Sequence, residues 1–248
     1  MTGPCIAPLE LTGIDKRFGR LSVLRGIDLA VAPGEIVGLL GANGCGKTTL
    51  LSIAAGLLAP TGGQRSYGPD GVADLESIHR ARLAFVAHST QLYARLDARE
   101  NLRLAAELFE SGSTAAQIDA LLERLGIAHA ADRLVGTYSR GMQQRLAIAR
   151  ALLARPDLLL LDEPFTALDR GGRELLTRVL SAERDRGAAI LLTSHDLDAI
   201  AEVTDRVVLL ADGRIVGEAR REPVAADDAS PVAYAERIRR LGTRDAHA

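Results

Sequence analysis

A chain of 248 residues with 47% hydrophobic and 25% charged side chains is long enough to bury a sizeable core and too rich in apolar residues to be disordered along its length. A net charge of −2 argues against a nucleic-acid partner, which calls for a basic imbalance. Cys5 and Cys45 are the only cysteines, which excludes a disulfide framework or a cysteine metal cluster and points to a reducing cytoplasm.

In chain order, the start Met-Thr-Gly-Pro-Cys-Ile-Ala-Pro lacks the basic residues and apolar core of a secretory signal. Residues 9–31 alternate short apolar stretches with turns, which predicts a small antiparallel β region before Pro33-Gly34. Glu35-Ile36-Val37-Gly38-Leu39-Leu40 reads as a buried strand and Thr48-Thr49-Leu50-Leu51-Ser52-Ile53-Ala54 as a helix. Between them lies Gly41-Ala42-Asn43-Gly44-Cys45-Gly46-Lys47-Thr48, a G-x-x-x-x-G-K-T loop in the strand-to-helix setting that makes it a phosphate site. Its glycines can turn successive N–H groups toward an anion, and the helix N-terminus adds partial positive charge. Lys47 is placed to reach the β- and γ-phosphates, and the Thr48 hydroxyl to ligate Mg²⁺. Lys16 and Lys47 are the only lysines in an arginine-rich chain, and position 47 is where a compact ammonium fits better than a planar fork. Cys45 reads first as a small residue that fits the loop; an electropositive loop would also lower its thiol pKa.

Residues 62–71, rich in Gly, Gln, Ser and Pro, predict a connecting loop or hairpin, and Leu83-Ala84-Phe85-Val86-Ala87 a short buried strand. The pattern then turns helical, with helices expected over 100–109, 114–125 and 141–153, separated at Gly112, Gly126 and Gly136. The best apolar run, 146–161, is broken by Arg150, Arg155, Pro156 and Asp157, well short of the roughly 20 residues of a bilayer span. Strands resume over 158–161, 189–193 and 206–210, joined by helices over 173–186 and 197–203. This alternation predicts an α/β fold with a mostly parallel sheet, an N-terminal antiparallel β region and a helical subdomain inserted at about 92–154. One domain over 1–218 and a polar tail over 219–248 are expected, with Ser230-Pro231 opening an amphipathic helix to Leu241.

Leu158-Leu159-Leu160-Leu161 ends abruptly in Asp162-Glu163-Pro164, and the carboxyl end of a buried strand is where an open α/β sheet presents ligand groups. Asp162 can hold Mg²⁺ there, through water, while Glu163 faces a γ-phosphate. In Tyr138-Ser139-Arg140-Gly141-Met142-Gln143, Ser139 is a good N-cap and the free N–H groups around Gly141 make an anion site. Ala167-Leu168-Asp169 and Ser194-His195-Asp196 follow in order.

This succession resembles the ATP-binding subunit of ABC transporters over nearly all of residues 9–218, and so a P-loop NTPase core. The resemblance implies a head-to-tail dimer with two sandwiched ATP molecules. One copy would hold each nucleotide through Phe18, stacked on adenine, and through Gly41, Asn43, Gly44, Cys45, Gly46, Lys47, Thr48 and Thr49; the other would supply Ser139, Gly141 and, at the seam, Asp169. It also implies Mg²⁺ on Thr48 and Asp162, Glu163 as general base, His195 at the γ-phosphate with Lys47, and an integral-membrane permease that places the subunit on the cytoplasmic face of the cell membrane. Two positions depart from the usual pattern. His88 stands where the family has a Mg²⁺-ligating Gln, and an imidazole is a poorer ligand for a hard cation than an amide oxygen. Ser-Arg-Gly-Met replaces Ser-Gly-Gly-Gln. With His88 and residues 92–102, this variant looks like the haem-exporter type of cytochrome c maturation; exporters of drugs, lipids or polysaccharides share parts of it. A soluble single-cassette ATPase of iron–sulfur cluster assembly and a catalytically dead regulator are the competing readings.

Overall fold

The computed structural model describes residues 7–73, 82–221 and 231–244. Strand β1 (Leu9–Phe18) alternates buried Leu9 and Leu11 with exposed Glu10 and Thr12, and pairs antiparallel with β2 (Leu21–Val31) from Leu9↔Val31 to Phe18↔Leu21. The buried side of this sheet faces the rest of the molecule. Of the loop or hairpin expected here the structure shows a hairpin, whose first strand joins the sheet: residues Gly62–Tyr67 form β4 on the free edge of β1, and the chain then turns back in a bridge between Tyr67 and Val72. A polar, glycine-rich segment joins a sheet through its backbone groups, and composition does not reveal that. Gly63 sits at φ 82, where a β-carbon would lie 2.2 Å from the Gly13 carbonyl oxygen.

The second sheet has the order β5-β6-β7-β3-β8-β9. Strands β3 (Ile36–Leu40), β5 (Leu83–Val86), β6 (Leu158–Leu161), β7 (Ala189–Ser194) and β8 (Arg206–Ala211) run parallel; β9 (Arg214–Arg220), which the sequence reading did not anticipate, closes the edge antiparallel to β8. β3, β6 and β7 are buried throughout, as strands covered on both faces must be. Their side chains alternate between two cores. Val37, Leu39, Leu158, Leu160 and Leu191 meet the first sheet and helix α1 (Lys47–Ala54) through Ile14, Leu24, Leu50 and Leu51. Ile36, Leu40, Leu159, Leu161, Ile190 and Leu192 meet the helices on the opposite face.

Those helices include α2 (Ala98–Leu108), α3 (Ala115–Arg124) and α4 (Arg140–Leu152), all between β5 and β6 in the chain. Asp97 with Glu100, and Thr114 with Gln117, form reciprocal capping boxes that start α2 and α3. Helix α5 (Arg170–Asp185) starts three residues before the expected 173, because Asp169 accepts the Gly172 N–H at 2.7 Å and caps it. After α6 (Leu197–Val203) and the β8–β9 hairpin, α7 (Pro231–Arg244) buries Tyr234, Ala235 and Ile238 in the helical-side core, with the Tyr234 hydroxyl 3.2 Å from Thr204 Oγ1. Among the described residues, no helix is long and apolar enough to cross a membrane.

Candidate active site

The carboxyl ends of β3, β6 and β7 lie side by side in the sheet and deliver three segments to one cleft: residues 41–48 after β3, Asp162-Glu163 after β6 and His195 after β7. This is the crevice outside the strand ends where open α/β sheets bind ligands. The cleft, about 520 Å³, is lined by Asn43, Gly44, Gly46, Lys47, Thr48, Thr49, His88, Asp162, Glu163 and His195, together with Val23 and Thr166. Gly46 has φ 111, and a β-carbon there would press to 2.8 Å of Leu24 in β2, so the loop crosses β2 only where a side chain is missing.

The charges in the cleft hold one another. Lys47 is 6% exposed, and its ammonium donates to the carbonyls of Gly41 at 2.7 Å and Ala42 at 3.1 Å, with Glu163 Oε1 3.8 Å away. Asp162 is buried and accepts two hydroxyls, from Thr48 at 2.9 Å and from Thr193 at 2.7 Å. Glu163 sits in the left-handed region at φ 53, a conformation a non-glycine residue keeps only where its surroundings over-determine it. Its N–H donates to Thr193 Oγ1 at 2.9 Å, its carbonyl accepts from the Thr166 N–H at 3.1 Å, and its Oε2 lies 2.8 Å from His195 Nδ1. The result aims a carboxylate into the cleft between a lysine and an imidazole.

Thr193 is the residue the sequence reading missed. One hydroxyl orders both acids, donating to Asp162 and accepting from the Glu163 backbone, and it is fully buried. The available signal was its place at the end of a buried strand directly before Ser194-His195.

The remaining candidates lie outside the cleft. Ser139 caps α4, accepting the Met142 N–H at 3.2 Å, and Gly141 packs so closely on the Ala167 carbonyl that a β-carbon would come to 2.8 Å. Asp169 caps α5. Phe18 stands at the end of β1 with half its surface exposed and the Lys16 ammonium 5.0 Å from its ring centroid, so it is no core residue. Cys45 keeps to the first reading, a small residue in the loop, and not to its alternative of a lowered pKa: partial burial pushes its thiol up, and this outweighs the nearby Lys47 charge.

The donor set fits a hard cation only in company. Among the described residues, no group of three or more His, Cys, Asp or Glu side chains could hold a metal. The Thr48 hydroxyl and Asp162 carboxylate, 2.9 Å apart, are oxygen donors suited to Mg²⁺, which keeps waters and takes its other ligands from phosphate oxygens. His88 lines the same cleft and offers nitrogen instead.

A phosphate loop between a central parallel strand and a helix, facing two acids at the end of the parallel strand β6, defines a P-loop nucleotide hydrolase. Comparison with known proteins narrows the class. The ABC transporter family model matches residues 24–166. The Nod factor export ATP-binding protein I of Burkholderia lata is 37% identical over 215 residues, covering 86% of this chain and 71% of that protein. The bacitracin transport ATP-binding protein BcrA of Bacillus licheniformis is 37% identical over 212 residues, covering 85% and 69%. A solved structure of the ATP-binding cassette MJ0796, dimeric in a post-hydrolysis state with ADP and Pi, superposes with a TM-score of 0.79 at 26% identity, covering 87% of this chain and all of that one. The chain belongs to the ABC transporter family: it is an ABC ATPase, and its nucleotide is ATP.

Proposed function

We propose that the protein is the ATP-hydrolysing subunit of an exporter, working as a head-to-tail pair of copies on a separate integral-membrane permease at the cytoplasmic face of the membrane. The observation that carries the chemistry is Glu163, held at φ 53 between Lys47 and His195 at the mouth of the phosphate loop. Phosphoryl transfer to water needs in-line placement and charge neutralisation more than covalent chemistry. In this reading Lys47 exchanges its loop carbonyls for β- and γ-phosphate oxygens, a swap of acceptors that keeps its buried charge compensated. Thr48 and Asp162 would hold Mg²⁺, which would supply charge neutralisation on the phosphates. Glu163 takes the proton of the attacking water. His195, with Nδ1 donating to Glu163, fixes that carboxylate and presents the rest of its ring to the γ-phosphate.

Ser139, Gly141 and Asp169 lie outside the cleft because, in this reading, they serve the partner copy's nucleotide; the dimeric state of the MJ0796 cassette with ADP and Pi supports the arrangement. Phe18, exposed at the end of β1, stacks on adenine. The permease docks in a second, mostly apolar cavity of about 570 Å³ lined by Leu57, Phe85, Gln91, Tyr93, Leu108 and Phe109, next to the segment that follows His88. Leu57, Tyr93 and Leu108 there are 69%, 55% and 68% exposed, more apolar surface than a free face needs. Export is supported by the two relatives, one of Nod factor export and one of bacitracin transport. Haem, suggested by the Ser139-Arg140-Gly141-Met142 variant and His88, is one cargo class within this reading.

Glu163→Gln tests it. The variant should bind ATP, lose turnover by about a hundred-fold or more, and elute with ATP as a species of twice 26.3 kDa. Unchanged turnover removes Glu163 as the base, and a persistent monomer removes the sandwich. A tagged pull-down of this variant from solubilised membranes with ATP should recover a polytopic permease; recovery of soluble partners alone moves the reading to the cluster-assembly class.

A further inference from the structure

Arg173 lies in the first turn of α5, four residues after Asp169. Its Nη1 donates to Asp196 Oδ2 at 2.7 Å, and its Nε donates to the Leu168 carbonyl at 3.4 Å. Asp196 is itself pinned: its Oδ1 accepts the Ala199 N–H at 3.2 Å, capping α6, and its N–H donates to Ser194 Oγ at 2.9 Å. The residue between Ser194 and Asp196 is His195, whose Nδ1 meets Glu163 at 2.8 Å. A single guanidinium therefore joins the 167–169 segment to the loop that carries the imidazole.

That segment is under its own constraint. Ala167 sits at φ 64 and its carbonyl packs against Gly141, next to the Ser139 cap of α4. A continuous line of contacts runs from Ser139-Gly141 through Ala167-Leu168 and Arg173 to Asp196, His195 and Glu163. The side chains of Arg173 and Asp196 are 39% and 32% exposed, too wet for the ion pair to add much stability. Its worth is geometric, since the planar fork fixes two acceptors at once.

We propose that Arg173 is a positioning residue for ATP hydrolysis: through Asp196 it holds His195 against Glu163, and it makes that contact depend on where residues 167–169 sit. This deepens the reading of Glu163 and His195 given above and rests on it. A displaced 167–169 segment would drag the Leu168 carbonyl, turn the guanidinium and loosen the imidazole, so that nucleotide binding continues while the chemical step slows.

The test compares the full chain with Arg173→Ala and Arg173→Lys by two readouts. Steady-state ATPase, measured at protein concentrations where specific activity no longer rises, should show kcat lowered about ten- to a hundred-fold in Arg173→Ala with KM for ATP within about two-fold. Arg173→Lys, which keeps the charge and loses the fork, should fall between. In protein labelled with ¹⁵N-histidine, the imidazole resonances of His195, assigned by their loss in His195→Ala, should shift in Arg173→Ala while those of His129 stay in place and report an intact fold. A kcat within about two-fold of wild type overturns the proposal, as does a fall in kcat with the His195 resonances unmoved, because Arg173 then acts elsewhere. Full turnover in Glu163→Gln would remove the base assignment alone; the His195 resonances and the kcat of Arg173→Ala would still decide the role of Arg173.

Discussion

At the scale of single residues, the site is ordered by groups that carry no motif of their own. Thr193 Oγ1 spends its one proton on Asp162 and its lone pair on the Glu163 N–H, so Thr193→Val keeps the shape and strands two buried polar groups. We expect a loss of about 1–3 kcal/mol in urea unfolding and a lower kcat, both restored by Thr193→Ser. Cys45 makes the complementary case: its place inside a cationic loop left a reactive thiolate open beside the plainer reading of a small residue that fits, and partial burial decides for the latter. In a Cys5→Ser background, Cys45 should be alkylated by iodoacetamide more slowly than free cysteine at neutral pH, with a rate still rising where an ordinary thiol has levelled off, and ATP should protect it. Ser139 was legible as a helix cap; that Asp169 caps α5 and that Arg173 ties this helix to the His195 loop were not, the latter because the two ends of that ion pair are 23 residues apart.

At the scale of elements, periodicity located the buried strands β3, β6 and β7 and the three helices between β5 and β6 to within a residue or two, because each buries a face whose spacing is written in the chain. Where burial did not speak, the reading was coarser, missing β9 and leaving β4 as one arm of a loop or hairpin. β4 consists of Gly-Gly-Gln-Arg-Ser-Tyr and is held by backbone pairing to β1; β9 is an edge strand whose alternate residues face solvent. Gly63 tests how far β4 depends on that pairing. Gly63→Ala places a methyl at φ 82 and 2.2 Å from the Gly13 carbonyl, so the β1–β4 contact must open. A destabilisation of roughly 2–4 kcal/mol is expected, read as a lower midpoint in urea, whereas Gly71→Ala, which meets nothing within 4 Å, should cost no more than about 1 kcal/mol for its positive φ.

At the scale of the whole molecule, Arg206 fastens the two sheets. From β8 its guanidinium reaches Glu35 at 2.8 Å, Glu218 of β9 at 3.4 Å and the Ala30 carbonyl of β2, and it is nearly buried. Burial alone would raise the Glu35 carboxyl; the Arg206 hydrogen bond and charge, with the Ala32 N–H, outweigh it and hold the carboxyl below its ordinary value. A depressed carboxyl stabilises the fold above the ordinary carboxylate pKa, and that contribution is lost as pH falls through the lowered folded value. Thermal unfolding followed from neutral pH to about pH 3 should therefore show a shallower acid limb for Glu35→Gln than for wild type. An equal slope in both would place the acid sensitivity elsewhere.

By itself the sequence determined an α/β phosphate-binding core, because a phosphate loop, a capped helix and an acid-ended buried strand are local arrangements whose residue types and spacing already carry their physics, and their order supplied the resemblance to ABC ATPases. It also marked Lys47, Asp162, Glu163 and His195. Tertiary structure alone decided that these four converge on one cleft, that Thr193 orders the two acids, that partial burial outweighs the Lys47 charge at Cys45, and that residues 62–67 pair with β1. Each of those depends on contacts between parts of the chain brought together by the sheet order β5-β6-β7-β3-β8-β9, and no local pattern encodes which distant backbone or hydroxyl will be the neighbour.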